Sequence, residues 1–313
     1  MKFMKRVALK LLSMPKLDLR KDYASVRRMQ QMIHPDLSKF YDVIDKEIIR
    51  EDANVAIPIR IFLPEKREKE LAIIFFHGGG WVIGDIETYT STCFHLAEHL
   101  GIPVFSVDYR LAPEHPYPAG LNDCFGAVEA LEKDLALLGV TDFSQVILMG
   151  DSAGGNLAAV TSLMRRDKGM APAGYQILLY PATYWAHDPQ YSPFRSVRVN
   201  SEGYGLTSKK MGAYMDLYAP NMADRMSSYV SPLMEEDLSN QPKTLIITAE
   251  YDVLRDEGEM YAKGLEEAGN EVTLVRMKDE VHGFISLPPI AESVKTTYKE
   301  IRHFLGMEEE MDA

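Results

Sequence analysis

The chemistry of this chain starts from a serine. Gly150-Asp151-Ser152-Ala153-Gly154 fits the pattern G-x-S-x-G. As a bare pattern it recurs by chance, and the plain alternative is a serine that caps a helix. Its setting makes it specific. The apolar run Val146-Ile147-Leu148-Met149 leads in, and Gly155-Asn156-Leu157-Ala158-Ala159-Val160 opens a helix leading out. A strand, a sharp turn and a helix in that order lift a serine hydroxyl above a sheet. The amide that follows, here Ala153, then sits at a helix N-terminus, where it can face an anion.

A second signal is His77-Gly78-Gly79-Gly80-Trp81, directly after the apolar run Leu71–Phe76. Three consecutive glycines cost conformational entropy on folding, which makes sense where backbone must approach a ligand. The amides of Gly78, Gly79 and Gly80 can point at a developing oxyanion, each donor being worth about 10² to 10³ in rate. A phosphate loop would need G-x-x-x-x-G-K-[ST], and no lysine follows here. A flexible turn is the bland reading.

A serine nucleophile needs a base. Of eight histidines, His282 is the best placed, in Glu280-Val281-His282-Gly283-Phe284 just past the last strand. Loops at the carboxyl ends of parallel strands are where sites assemble. His187 is the nearest rival, and His77 is expected to order the glycine loop. An orienting carboxylate is expected at Asp252, after the run Leu245–Thr248, with Asp256 and Glu250 as competitors. The chain order is then serine, aspartate, histidine.

These side chains must be held by elements. Residues 71–76, 104–107, 146–149, 175–180, 245–248 and 272–275 are short apolar runs that alternate with helical stretches. That rhythm predicts parallel strands covered on both faces, hence an α/β fold with a doubly wound sheet. Val55, Ile57, Ile59 and Ile61 alternate like an antiparallel strand, and Pro58 argues for a place at the sheet edge. Arg20–Ile33 reads as a helix that His34-Pro35 ends. Residues 183–237 hold no clear strand, so an inserted helical cap is expected there rather than a long loop.

Composition bounds the function. Apolar residues make up 46% of 313 residues and charged ones 26%, as in a soluble globular protein. Asp and Glu outnumber Lys and Arg by 46 to 34, a net charge of −12, which disfavours nucleic acid as the main partner. No apolar run approaches the ~18 residues of a membrane span. The N-terminus MKFMKRVALKLLSMPK is broken by Lys10 and lacks a small-x-small site, so an amphipathic helix is expected rather than a signal peptide. Two cysteines, Cys93 and Cys124, make no disulfide framework and suit a cytoplasmic protein.

Five blocks in order carry a family resemblance: His77-Gly78-Gly79-Gly80-Trp81, Asp108-Tyr109-Arg110-Leu111-Ala112-Pro113-Glu114, Gly150 to Asn156, Tyr251 to Gly258, and His282-Gly283-Phe284. From about residue 45 onward the chain resembles the hormone-sensitive-lipase-like branch of the α/β-hydrolase fold. That group comprises bacterial carboxylesterases and related eukaryotic enzymes. The resemblance implies one domain over residues 1–313, with a mostly parallel eight-stranded sheet flanked by helices and a cap from 1–45 and 183–237. It implies Ser152 as nucleophile, His282 as base and Asp252 as its partner. The oxyanion hole would use the glycine amides, foremost Gly79 and Gly80, with Ala153, although sequence does not choose among Gly78, Gly79 and Gly80. Trp81, Tyr184, Met211 and Met215 become candidate substrate contacts, and packing of the cap is the bland reading. Arg195 and Arg198 could meet an acidic substrate, or simply be solvated. The implied activity is hydrolysis of short-acyl esters without metal or organic cofactor. Rivals are a peptidase, lactonase or lyase on the same scaffold, or a non-catalytic ligand receptor. A homodimer across an edge strand near Val272 is possible, but no residue requires it.

Overall fold

The computed structural model describes residues 18–33, 40–50 and 55–307. The expected N-terminal amphipathic helix and the helix stop at His34-Pro35 lie outside the described residues, as does part of the 1–45 cap segment.

The strands are β1 (Val43–Arg50), β2 (Val55–Phe62), β3 (Ala72–Phe76), β4 (Val104–Val107), β5 (Val146–Asp151), β6 (Tyr175–Leu179), β7 (Lys243–Tyr251) and β8 (Val272–Val281). They form one sheet in the order β1-β2-β4-β3-β5-β6-β7-β8. Pairing is antiparallel at β1–β2 and β2–β4 and parallel from β4 to β8. Eight strands, mostly parallel, are what the family resemblance implies.

Period-two alternation sorts the sheet's side chains into two layers. Ile74, Phe76, Phe105 and Leu148 join one buried cluster with the helices Ala119–Lys133, Ala153–Asp167 and Arg255–Glu267. Ile73, Phe75, Val104 and Met149 join the other, against Thr90–Leu100 and Glu292–Phe304. All five β3 residues are fully buried. Each large apolar side chain so placed contributes roughly 1.5–3 kcal/mol. The centre of the sheet is therefore a rigid floor for whatever its strand ends carry.

One expectation at the leading edge needs correction. The edge strand is β1, which the residue pattern did not reveal. Pro58 lies in β2, one strand in, opposite Glu47 of β1. Its carbonyl accepts the Asp108 amide at 2.9 Å, on the β4 side. The β2–β4 ladder starts one residue later, at Ile59 opposite Val107. The proline has no N–H to return to Asp108 in that pair, so the ladder forgoes only its terminal bond, and proline enters an inner strand at the ladder's end.

Between β6 and β7 the chain forms the helices Arg195–Val199, Ser208–Tyr218 and Met222–Met226. Thr207 caps Ser208–Tyr218 by accepting from the Lys210 amide at 3.1 Å. The helix Leu19–Ile33 packs on Ser208–Tyr218, with Arg20 paired to Asp216 at 2.6 Å. Its Arg27 donates to the carbonyls of Val82 and Ala112 at 2.6 and 2.7 Å. The helix Leu19–Ile33 thus grips the stretch after the glycine run.

Candidate active site

Three side chains from the ends of three parallel strands meet. Ser152 follows β5, Asp252 follows β7 and His282 follows β8. His282 Nε2 lies 2.8 Å from Ser152 Oγ, and His282 Nδ1 lies 2.6 Å from Asp252 Oδ2. With the proton on Nδ1 donated to Asp252, Nε2 is left to accept the serine proton. Asp252 is 2% exposed, and its other oxygen accepts the Leu254 amide at 3.0 Å. Asn200 steadies the same turn by donating to the Asp252 carbonyl at 2.9 Å.

The rival groups are engaged elsewhere. His187 is buried, its Nε2 2.9 Å from Glu257 Oε2, and Glu257 also accepts the amides of Thr183 and Tyr184 at 2.8 and 3.1 Å. Asp256 accepts the Ser196 amide at 2.7 Å, and Glu250 accepts the Asp279 amide at 2.8 Å. Arg195 and Arg198 are exposed, as solvated charges are.

Ser152 has φ 55° and ψ −116°, a positive φ that a residue other than glycine adopts only under constraint. The constraint is visible. The Ser152 amide donates to the Leu179 carbonyl at 2.8 Å, and its own carbonyl accepts from Asn156 at 3.0 Å. Gly154 allows the turn to close against β3: a Cβ there would sit 1.9 Å from the Phe76 carbonyl oxygen. Asn156, fully buried, donates to the carbonyls of Ala182 and Val230 at 2.8 and 2.9 Å.

The glycine loop runs beside this turn. Gly78, one of three candidate oxyanion donors, is already engaged: its amide donates to Asp151 Oδ1 at 2.7 Å. That corrects the expectation for Gly78. Gly79 and Gly80, and Ala153 at the helix start, keep amides with no partner among the described residues. His77 orders the loop as expected. Its ring stacks on Tyr109 at 4.3 Å, and its Nδ1 lies 2.8 Å from the Gly78 carbonyl. Burial lowers its pKa to about 4, so it is neutral at pH 7 and donates that bond.

Asp151 is a residue that sequence reasoning passed over. Its buried carboxylate accepts from Gly78, from the Tyr89 hydroxyl at 3.1 Å and from the Tyr180 hydroxyl at 3.3 Å. Burial pushes its pKa up to about 6, against the hydrogen bonds and the nearby His282 ring that favour its charge. The Tyr180 ring meets His282 edge-on at 4.7 Å. One carboxylate therefore ties the Ser152 turn, the glycine loop and the packing of the His282 ring together. Only its place inside the serine motif could have drawn attention to it.

A family model described as the alpha/beta hydrolase fold matches residues 73–286. The chain belongs to the hormone-sensitive-lipase-like α/β-hydrolase family. It is 37% identical over 251 residues to an arylesterase of Saccharolobus solfataricus, covering 80% of this chain and 79% of that one. An ethyl acetate hydrolase of Pseudomonas putida is 32% identical, covering 75% and 74%. Among solved structures, a hyperthermophilic esterase from the archaeon Pyrobaculum calidifontis superposes with a TM-score of 0.85 at 37% identity, covering 97% of each chain.

In this hydrolase the expected substrate contacts divide. Trp81, Met211 and Met215 are 1%, 2% and 1% exposed, so in this arrangement none of them lines open space. Trp81 is stacked on Tyr218 instead. Tyr184 is half-buried, its ring edge-on to Phe194 at 5.2 Å.

Proposed function

We propose that this hydrolase is a serine carboxylesterase that cleaves short-acyl esters through an acyl-enzyme. The observation that carries the reading is the unbroken path Ser152 Oγ, His282 Nε2, His282 Nδ1, Asp252 Oδ2, with gaps of 2.8 and 2.6 Å. Ser152 attacks the ester carbonyl while His282 takes its proton. The carbonyl oxygen becomes an anion received by the amides of Gly79, Gly80 and Ala153. His282 then passes its proton to the leaving alcohol. Water, deprotonated by the same ring, releases the acid and restores the serine. Asp252 fixes the ring tautomer and stabilises the imidazolium. A receptor on a disabled scaffold would have no need of this intact path. The residues 183–237 and the helix Leu19–Ile33 act as a cap on a single α/β domain.

A short acyl group suits the tight packing of Trp81, Met211 and Met215, and one relative bears the name ethyl acetate hydrolase. Labelling with a fluorophosphonate should place the adduct on Ser152 by mass spectrometry. Ser152→Ala should cut ester turnover by at least ~10⁴ with the fold intact; near-normal turnover would remove the nucleophile. Across aryl esters from acetyl to dodecanoyl, a maximum at long chains would overturn the short-acyl part.

The same reading includes a homodimer. Among the described residues β8 is the last strand of the sheet, and Leu274 and Met260 beside it are 45% and 48% exposed. A second copy pairing there would cover an edge that isolated proteins otherwise have to protect. Light scattering that gives a monomer mass at micromolar concentration would end that part. Cytoplasmic residence fits Cys93 and Cys124, both buried and unpaired, and cell fractionation reads it. Among the described residues no helix is long and apolar enough to cross a membrane.

A further inference from the structure

Gly80 and Trp81 both take left-handed backbone conformations, with φ 61° and 60°. For a bulky residue this must be imposed by the surroundings. One helix, Ser208–Tyr218, supplies a ring to each. The Tyr214 ring lies so close to Gly80 that a Cβ there would sit 2.3 Å from two ring carbons. The Tyr218 ring stacks on the Trp81 indole at 4.4 Å with the planes 4° apart. Positions four apart share a helix face, so both rings approach the loop together. The helix is held from outside the loop: the Tyr117 amide donates to the Tyr218 carbonyl at 2.8 Å, and Asp216 pairs with Arg20 and Arg225 at 2.6 and 2.8 Å. The Tyr218 hydroxyl is buried without a hydrogen-bond partner among the described residues. Its flat ring makes the contact with the loop.

We propose that Tyr214 and Tyr218 are positioning residues of the oxyanion hole, their rings holding Gly80 and Trp81 in the turn that aims the amides of Gly79 and Gly80 at the reacting carbonyl. This rests on the esterase reading above. It gives the inserted helix a part in the chemical step, beyond selecting or covering substrate. Helix, indole and glycine then move as one body, and displacing either ring lets the loop relax and misdirects the donors. A misplacement of about 1 Å can cost on the order of 10²-fold in rate.

The test is steady-state kinetics on a short aryl ester, with active sites counted by fluorophosphonate titration so that only folded enzyme is compared. Tyr214→Ala and Tyr218→Ala should each lower kcat per titrated site by about 10- to 100-fold while KM moves by less than about 3-fold. Affinity for an alkyl boronic acid, which forms a tetrahedral adduct on the serine, should fall in parallel. Tyr214→Phe and Tyr218→Phe keep the rings and should stay within about 2-fold of wild type. If an alanine variant yields too little folded protein, Tyr214→Leu and Tyr218→Leu keep apolar bulk without the flat ring and should show the same kcat loss. Alanine or leucine variants with normal kcat per site and a changed KM or acyl preference would overturn the proposal, leaving the tyrosines as cap packing. So would phenylalanine variants as impaired as the alanine ones. Normal turnover in Ser152→Ala would instead sink the esterase reading, so the two failures are distinguishable.

Discussion

Asp151 keeps a carboxylate in a place where burial favours its neutral form. Its pKa rises from the ordinary 3.8 to about 6 because the surroundings exclude water. Between those values the folded protein holds a proton that the unfolded chain has released. Stability from this group therefore falls as pH rises from about 4 to about 6, by roughly 3 kcal/mol in all, and then levels off. Asp151→Asn keeps an acceptor for the Gly78 amide and removes the titration. Urea unfolding of the variant should show a gain of about 1–3 kcal/mol over wild type at pH 8 that shrinks toward pH 4. An unchanged pH slope would show that the carboxylate is not the titrating group. The proposed triad of Ser152, Asp252 and His282 was readable in the sequence because each stands in its own motif just past a strand. Asp151, Tyr180 and the two cap tyrosines were not, because their work depends on neighbours far along the chain. The engaged amide of Gly78 was hidden for the same reason.

The helix Ala153–Asp167 reaches the sheet only because Gly154 has no side chain. A methyl group there would overlap the Phe76 carbonyl, which belongs to the fully buried β3 and has no room to retreat. Gly154→Ala should lower stability by more than ~3 kcal/mol or leave the protein insoluble, read by its melting temperature and soluble yield. Gly212→Ala is the counterpart. It lies inside Ser208–Tyr218, and nothing stands within 4 Å of the added carbon. It should raise stability by about 0.5–1 kcal/mol. Equal effects from both would mean that the close approach does not govern the turn. Strands β3, β5, β6 and β7 were plain in the sequence as continuous apolar runs, because they are buried on both faces. β1, with Asp45, Lys46 and Glu47 exposed, carries too little apolar periodicity to be read. β8 runs past its apolar start through Arg276 to Glu280, since an edge strand tolerates polar residues facing water.

Across the whole molecule, the sheet order brings together groups that the sequence keeps 130 and 30 residues apart. Order of motifs along the chain was enough to anticipate that meeting, because strand ends on one side of a parallel sheet face the same cleft. What order does not encode is how the stretch between β6 and β7 settles on the loops below it. That depends on contacts such as Arg27 with the carbonyls of Val82 and Ala112, which join residues 55 and 85 positions apart. One such contact bears on how these enzymes can be rebuilt. A single Asn156 amide group binds the backbone at Ala182, where the excursion from the sheet departs, and at Val230, near where it returns. Both feet of that excursion stand on the helix that carries the nucleophile bend. The intervening forty-odd residues rise from these two footings, and a stretch exchanged between relatives there would keep the serine bend while replacing Asn200, Tyr214 and Tyr218 together with their contacts to the Asp252 turn and the glycine loop.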